Sequence, residues 1–191
     1  MKRFWKDVAT VAVADGYDIH LDGKPVRTPG RAALTLPTPA LADAVAEEWR
    51  AVTDTIDPRA MPLTGLANAA IDRIAPDTAT FAAGLSRYAE SDLFCYRADH
   101  PPELRLRQEA AWDPLLAWAE HHYAAPLTVT TGVIYADQSP DSLARLADAV
   151  AARNPFELAA LSPIVTVTGS LVAALALLHG AATPDDIWSA V

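Results

Sequence analysis

Apolar and polar positions alternate along the first forty residues and then change to helical spacing. Val11 and Val13 alternate with smaller residues, and Tyr17, Ile19 and Leu21 alternate with Asp18, His20 and Asp22. A period of two sorts side chains onto opposite faces of a strand, so these stretches predict half-buried β structure. Asp15-Gly16 predicts a turn, and Asp22-Gly23 supplies the positive φ angles of a tight hairpin before "KPVRT". With a further short strand at "ALTL", the segment predicts a small antiparallel meander with one wet face.

Beyond it the starts of helices share one device. Thr38-Pro39, Ser139-Pro140, Asn154-Pro155 and Thr183-Pro184 each place a capping side chain before a proline that has no N–H to satisfy. Leu63, Leu66, Ala67, Ala70, Ile71 and Ile74 form one helical stripe, ended by Pro76. Phe81, Leu85, Tyr88 and Ala89 form a second, and Leu143, Leu146, Ala147 and Val150 a third. "PLTVTTGVIY" is the exception and predicts an extended strand. The expected fold is α+β. A small N-terminal antiparallel β domain with a helix, residues 1–75, precedes a mostly α-helical, orthogonal-bundle-like domain, residues 76–191.

Composition narrows the classes of function. The formal net charge of −9 is uneven: residues 1–36 carry +2, leaving −11 for the remainder. Nucleic-acid binding needs a basic stripe, so no nucleic-acid partner is expected, and an anionic membrane surface would not attract the chain. The segment "SPIVTVTGSLVAALALLHG" is interrupted by Thr166, Thr168, Gly169 and Ser170, which predicts a buried core helix with no membrane insertion. One cysteine excludes an internal disulfide, and Lys6, Asp7 and Asp15 interrupt any leader-like apolar run. Both point to a cytoplasmic protein, and the excess of arginine over lysine to a GC-rich bacterial genome.

Candidate chemistry concentrates in "YAESDLFCYRADH", residues 88–100, and fails on geometry. Glu90 and Asp92 are two apart, so on a helix they diverge and cannot work as a pair, leaving them on a solvated face. Cys95 lies among Leu93, Phe94 and Tyr96 with no helix N-cap before it, which favours a buried structural thiol over a nucleophile. Asp99 and His100 precede Pro101-Pro102 and mark a loop. His121 and His122 point roughly 100° apart on a helix, so no metal site is expected. No pair of glycines has G-x-G spacing and Gly23-Lys24 is followed by Pro25, so no phosphate loop and no cofactor are expected. "LRLRQEAAWDPLLAWAEHHY" is more informative. Pro114 either kinks one helix or, with Asp113 as cap, begins another. Arg105, Arg107, Gln108 and Trp112 sit near that bend, as core support or as an anchoring surface of the Trp/Arg kind found at interface hot spots.

Seven strings occur in order: "LDGKPVRTP", "AEEW", "MPLTGLANAAID", "SDLFCYRA", "RQEAAWDPLLAWA", "PFELAAL" and "TGSLVAALAL". Together they resemble the assembly chaperones of F-type ATP synthase that bind the alpha subunit of its catalytic head. The resemblance implies a monomeric, non-enzymatic chaperone that holds unassembled alpha subunit at the surface later covered by the beta subunit. It implies the cytoplasm for bacterial members and the mitochondrial matrix for eukaryotic ones. It also implies that the chain is truncated or processed, because family members continue past the tryptophan matching Trp188 into an acidic, tryptophan-rich extension. The matching positions Arg97, Arg107, Gln108, Trp112 and Asp113 are the candidate partner-binding residues. A thiol or metal hydrolase and a regulatory module with another client are the competing readings.

Overall fold

The computed structural model describes residues 1–191. Its contacts divide into two compact units, Met1–Asp77 and Thr78–Val191. The first opens with β1 (Val8–Val13) and β2 (Gly16–Leu21), followed by the two-residue strands β3 (Lys24–Pro25) and β4 (Thr35–Leu36). β2 is central: β1 pairs along one edge, while β3 and β4 share the other, and all pairings are antiparallel. The chain leaves that edge after Pro25 and returns at Thr35, so the predicted meander is a hairpin with an interrupted third strand.

The register corrects two expectations. Asp22 and Gly23 both have positive φ, as the hairpin turn requires. At the other turn Val13 pairs with Gly16, so Ala14 and Asp15 make the reversal and Gly16 is already in the strand. Glycine is needed there because a Cβ would lie 2.3 Å from the Leu36 carbonyl oxygen. Residues directly opposite share a face, and Leu21, Ile19 and Tyr17 face Val8, Thr10 and Ala12. Val11 and Val13 therefore lie on the outer face, paired with Asp18 and Gly16.

α1 (Pro39–Ala51) packs across β1, β2 and β4, and Val45 and Trp49 of the helix are buried, as are Ile19 and Leu36 of the strands. α2 (Pro62–Ala69) has no side-chain cap of its own. Glu48 of α1 supplies it, accepting from Leu63 N at 2.7 Å and Thr64 N at 2.8 Å. The stripe from Leu63 to Ile74 does not stop at Pro76. It passes through a π turn (Ala70–Ile74) and a 3-10 turn (Ala75–Asp77) into the next helix.

The second unit comprises α3 (Thr78–Ser86), β5 (Tyr96–Arg97), α4 (Pro102–Tyr123), β6 (Thr130–Thr131), α5 (Pro140–Ala151), α6 (Pro155–Thr168), α7 (Leu171–Leu178) and α8 (Pro184–Ala190). α7 is its core: every residue from Leu171 to Ala176 is buried, with α4, α6 and α8 packed around it. Gly169, in the left-handed region, ends α6, and Ser170 immediately caps α7, so the long apolar segment breaks into two helices. Thr38, Asn154 and Thr183 cap as expected, the last two as capping boxes with Glu157 and Asp186. Ser139 does not; Pro140 alone begins α5.

Candidate functional site

Residues 87–97 are not one helix but two 3-10 turns, Arg87–Ser91 and Leu93–Cys95, running into β5. That change of geometry rotates Asp92 off the expected solvated face and into the core. Its Oδ1 accepts from Phe94 N and its Oδ2 from Val172 N, both at 3.0 Å, which joins the segment to the first turn of α7. Leu93 N reinforces the junction by donating to the Gly169 carbonyl at 3.0 Å. Burial pushes the Asp92 carboxyl up to about 6, because loss of solvent outweighs the hydrogen bonds that favour its charge. Burial, with the Asp92 charge beside it, pushes the Cys95 thiol up to about 12, so the sulfur is a neutral packing group. Asp99 and His100 stay exposed.

Arg97 organises the next layer. It is buried, donates to the Phe94 carbonyl and the Asp113 carboxylate, and lies with its guanidinium 5.2 Å from the Trp112 ring centre. Trp112 stacks on Phe94 at 5.4 Å and donates Nε1–H to the Ala190 carbonyl at 2.6 Å, tying α4 to α8. Trp112 is thus buried as an intramolecular anchor, the core-support side of its two readings: its ring already has partners on three sides. Gln108 accepts from Ala98 N at 2.7 Å and fixes the approach to α4. α4 continues unbroken through Pro114, so Asp113 caps no new helix and instead holds Arg97 from an exposed position. Four of the five candidates form this lattice. Arg107 stands apart on the exposed side of α4.

The accessible surface beside the lattice is an open cleft of about 420 Å³ between α4 and β6. Its walls include Arg105, Glu109, Asp113 and Glu120 on the helix and Val129 and Thr131 on the strand side. Next to it Val133 is 94% exposed, Ile134 79% and Tyr135 55%. Sequence reasoning did not find this surface, because an apolar β-branched run reads as a strand awaiting a partner. Only Thr130 and Thr131 pair, with β5 in parallel. A second exposed apolar group, Val167, Trp188 and Val191, borders a groove of about 320 Å³ against Leu93. His122 stacks on Trp118 and lies 4.6 Å, ring to ring, from His179, whose pKa is lowered by burial and by His122. No set of three His, Cys, Asp or Glu converges as metal ligands, and no helix is long and apolar enough to cross a membrane. The second unit carries six Lys/Arg against thirteen Asp/Glu. A buried lattice beneath an exposed apolar surface on an acidic body is suited to holding another macromolecule.

Comparison with known proteins agrees with that character. A family model described as ATP12 chaperone protein matches residues 2–120. The chain is 24% identical to the mitochondrial protein atp12 of Schizosaccharomyces pombe, across 94% of this chain and 66% of that protein. It thus spans just under two thirds of that curated relative. The crystal structure of Atp12 from Paracoccus denitrificans superposes with a TM-score of 0.95 at 45% identity, covering 99% of this chain and 81% of that one. The Atu1473 protein of Agrobacterium tumefaciens gives a TM-score of 0.94 at 40% identity, covering 99% and 71%. The family match spans more than half of the chain, and the helical unit that it leaves partly unmatched is spanned by both bacterial structures: this chain belongs to the ATP12 chaperone family.

Proposed function

We propose that the chain holds the unassembled alpha subunit of the ATP synthase catalytic head, shielding the surface that the beta subunit later covers. Family membership carries this reading. The second unit supports it physically. Val133, Ile134 and Tyr135 offer contact area without any folding partner, and the acidic surroundings favour a client with basic patches. The activity is binding rather than catalysis: the one thiol is neutral and buried, so it supplies no nucleophile. Arg107, Gln108 and Asp113 belong to the rim that meets the client, while Arg97 and Trp112 position that rim from beneath. The protein works as a monomer in a bacterial cytoplasm. Size-exclusion chromatography of the chain mixed with refolded alpha subunit is expected to give a one-to-one complex that beta subunit dissolves. Independent elution of the two proteins, or a complex unaffected by beta subunit, would contradict the reading.

A further inference from the structure

β6 pairs with β5 along one edge, and no strand of the chain pairs with its other edge. Gly132 donates its N–H to the Arg97 carbonyl at 2.8 Å. Backbone groups alternate in direction along a strand, so Thr130 faces β5, as the Gly132 N–H does, while Thr131 directs its N–H and C=O outward; beyond it Gly132, at a φ of 84°, bends the chain away from strand geometry. Folded proteins commonly blunt such an edge with charge, proline or a covering element. Here no charged residue or proline occurs from Leu127 to Ala136, and Val129, Thr130, Thr131, Val133 and Ile134 are all β-branched.

The segment is held open rather than left slack. The buried Gln138 accepts from Thr128 N at 2.7 Å and donates to the Thr128 carbonyl at 3.0 Å, closing the loop from Thr128 to Gln138 like a pair of strand residues. The open cleft of about 420 Å³ borders Thr130 and Thr131. Of the charges that line it, Arg97 is paired with Asp113 and Arg105 with Glu109, which leaves Glu120 without a cation. Asp137, just beyond the edge, has none either.

We propose that the outer edge of β6 captures an extended segment of the unassembled alpha subunit by strand addition. The added strand lies in the cleft between α4 and β6, with apolar side chains against Leu127 and Val129 and a basic residue at Glu120, and runs on past the exposed Val133 and Ile134. The outward N–H and C=O of Thr131 at the open sheet edge select an extended chain over a helix, whose backbone groups are already bonded to one another. Unpaired carboxylates beside an apolar edge select a segment that mixes valine-like and basic residues. This rests on the alpha-subunit reading above and specifies the surface and the conformation of what it holds.

The test has two probes. The first is a heptapeptide of alternating valine and lysine at millimolar concentration, with its fully N-methylated counterpart as control, read by hydrogen exchange of the full chain. The Thr131 amide is expected to exchange at least tenfold more slowly with the first peptide and unchanged with the second. Equal protection by both peptides, or none by either, would overturn strand addition. The second probe is refolded alpha subunit. Thr131→Pro removes the outward N–H and leaves the Thr130 and Gly132 bonds to β5 intact. It is expected to weaken binding at least tenfold, as is Val133→Glu combined with Ile134→Glu, which adds charge where the side chains are already exposed. The double variant decides the matter if Thr131→Pro fails to fold. Wild-type affinity in the double variant would overturn the proposal. A wild-type chain that ignores alpha subunit yet shows peptide-dependent protection supports the edge and overturns the client assignment instead.

Discussion

From Asp92 to Arg97 the chain is sunk into the helical unit, while its neighbour across the two-stranded sheet, Val129 to Tyr135, is turned outward. The buried segment contains a carboxylate and a guanidinium; the exposed one contains no charge at all. Hydropathy alone would place them the other way round. What reverses them is partnership. Asp92 finds two backbone N–H groups, and the Arg97 guanidinium finds a carbonyl, a carboxylate and an aromatic face, though its Nε stays without a partner, so the charge of each is met on burial. The apolar segment has one short ladder and no further element to cover it. One side therefore fixes the shape of the unit, and the other is available for work.

Substitutions at the buried side test that division most severely. Trp112→Ala removes the ring between Phe94 and Arg97 and the bond to Ala190, and is expected to cost about 3–5 kcal/mol in urea unfolding. Unchanged stability would mean that Trp112 is a surface anchor after all. Asp92→Ala leaves the Phe94 and Val172 N–H groups without acceptors, an expected loss of about 2–4 kcal/mol in the same measurement. The pH dependence sharpens this. The folded carboxyl sits at about 6 against an ordinary 3.8, so folding favours the protonated form. Its stabilising contribution is fully present below 3.8 and is lost as pH rises through 6, about 3 kcal/mol in all. Roughly half of that falls between pH 5 and 7.5. Wild type should lose that much more stability over this window than Asp92→Asn; parallel curves would refute the burial of a titrating group.

Smaller effects separate a real cap from an apparent one. Asn154→Ala is expected to lower stability by about 1 kcal/mol, since its side chain accepts from Phe156 and Glu157 N–H groups at the start of α6. Ser139→Ala should stay within about 0.5 kcal/mol, because Ser139 makes no such bond. On the exposed side, Ile134→Glu should likewise alter the unfolding midpoint by less than about 0.5 kcal/mol. A large loss there would show that Ile134 supports the fold and is not free for contact.

The same contrast explains what could be read from residues alone. Local rules carried far. Asp22-Gly23 fixed the hairpin turn, and proline after Thr38, Asn154 or Thr183 marked helices that do begin there. Errors arose wherever a distant partner decided the outcome. Val11 and Val13 are set opposite Asp18 and Gly16 by the register with β2, which places Val8 and Thr10 beside the buried Leu21 and Ile19 instead. Asp92 is buried because Val172, 80 residues further on, offers an N–H. Asp22 shows how little the residue type says: it also accepts two backbone N–H bonds, from Lys6 and Asp7, but in solvent, and its pKa falls where that of Asp92 rises. Of the candidate residues, the resemblance brought Arg97, Gln108, Trp112 and Asp113 to one lattice. The exposed run from Val129 to Tyr135 left no mark, because an unpaired edge and a paired strand have the same composition.

The most direct measurement is light scattering as chemically unfolded alpha subunit is diluted into buffer without nucleotide. An equimolar amount of this chain should suppress the rise in scattering, the Cys95→Ala variant should do so equally well, and the Val133→Glu, Ile134→Glu double variant should suppress it poorly. Scattering as strong as that of alpha subunit alone, or suppression that appears only when ATP is added, would contradict the account.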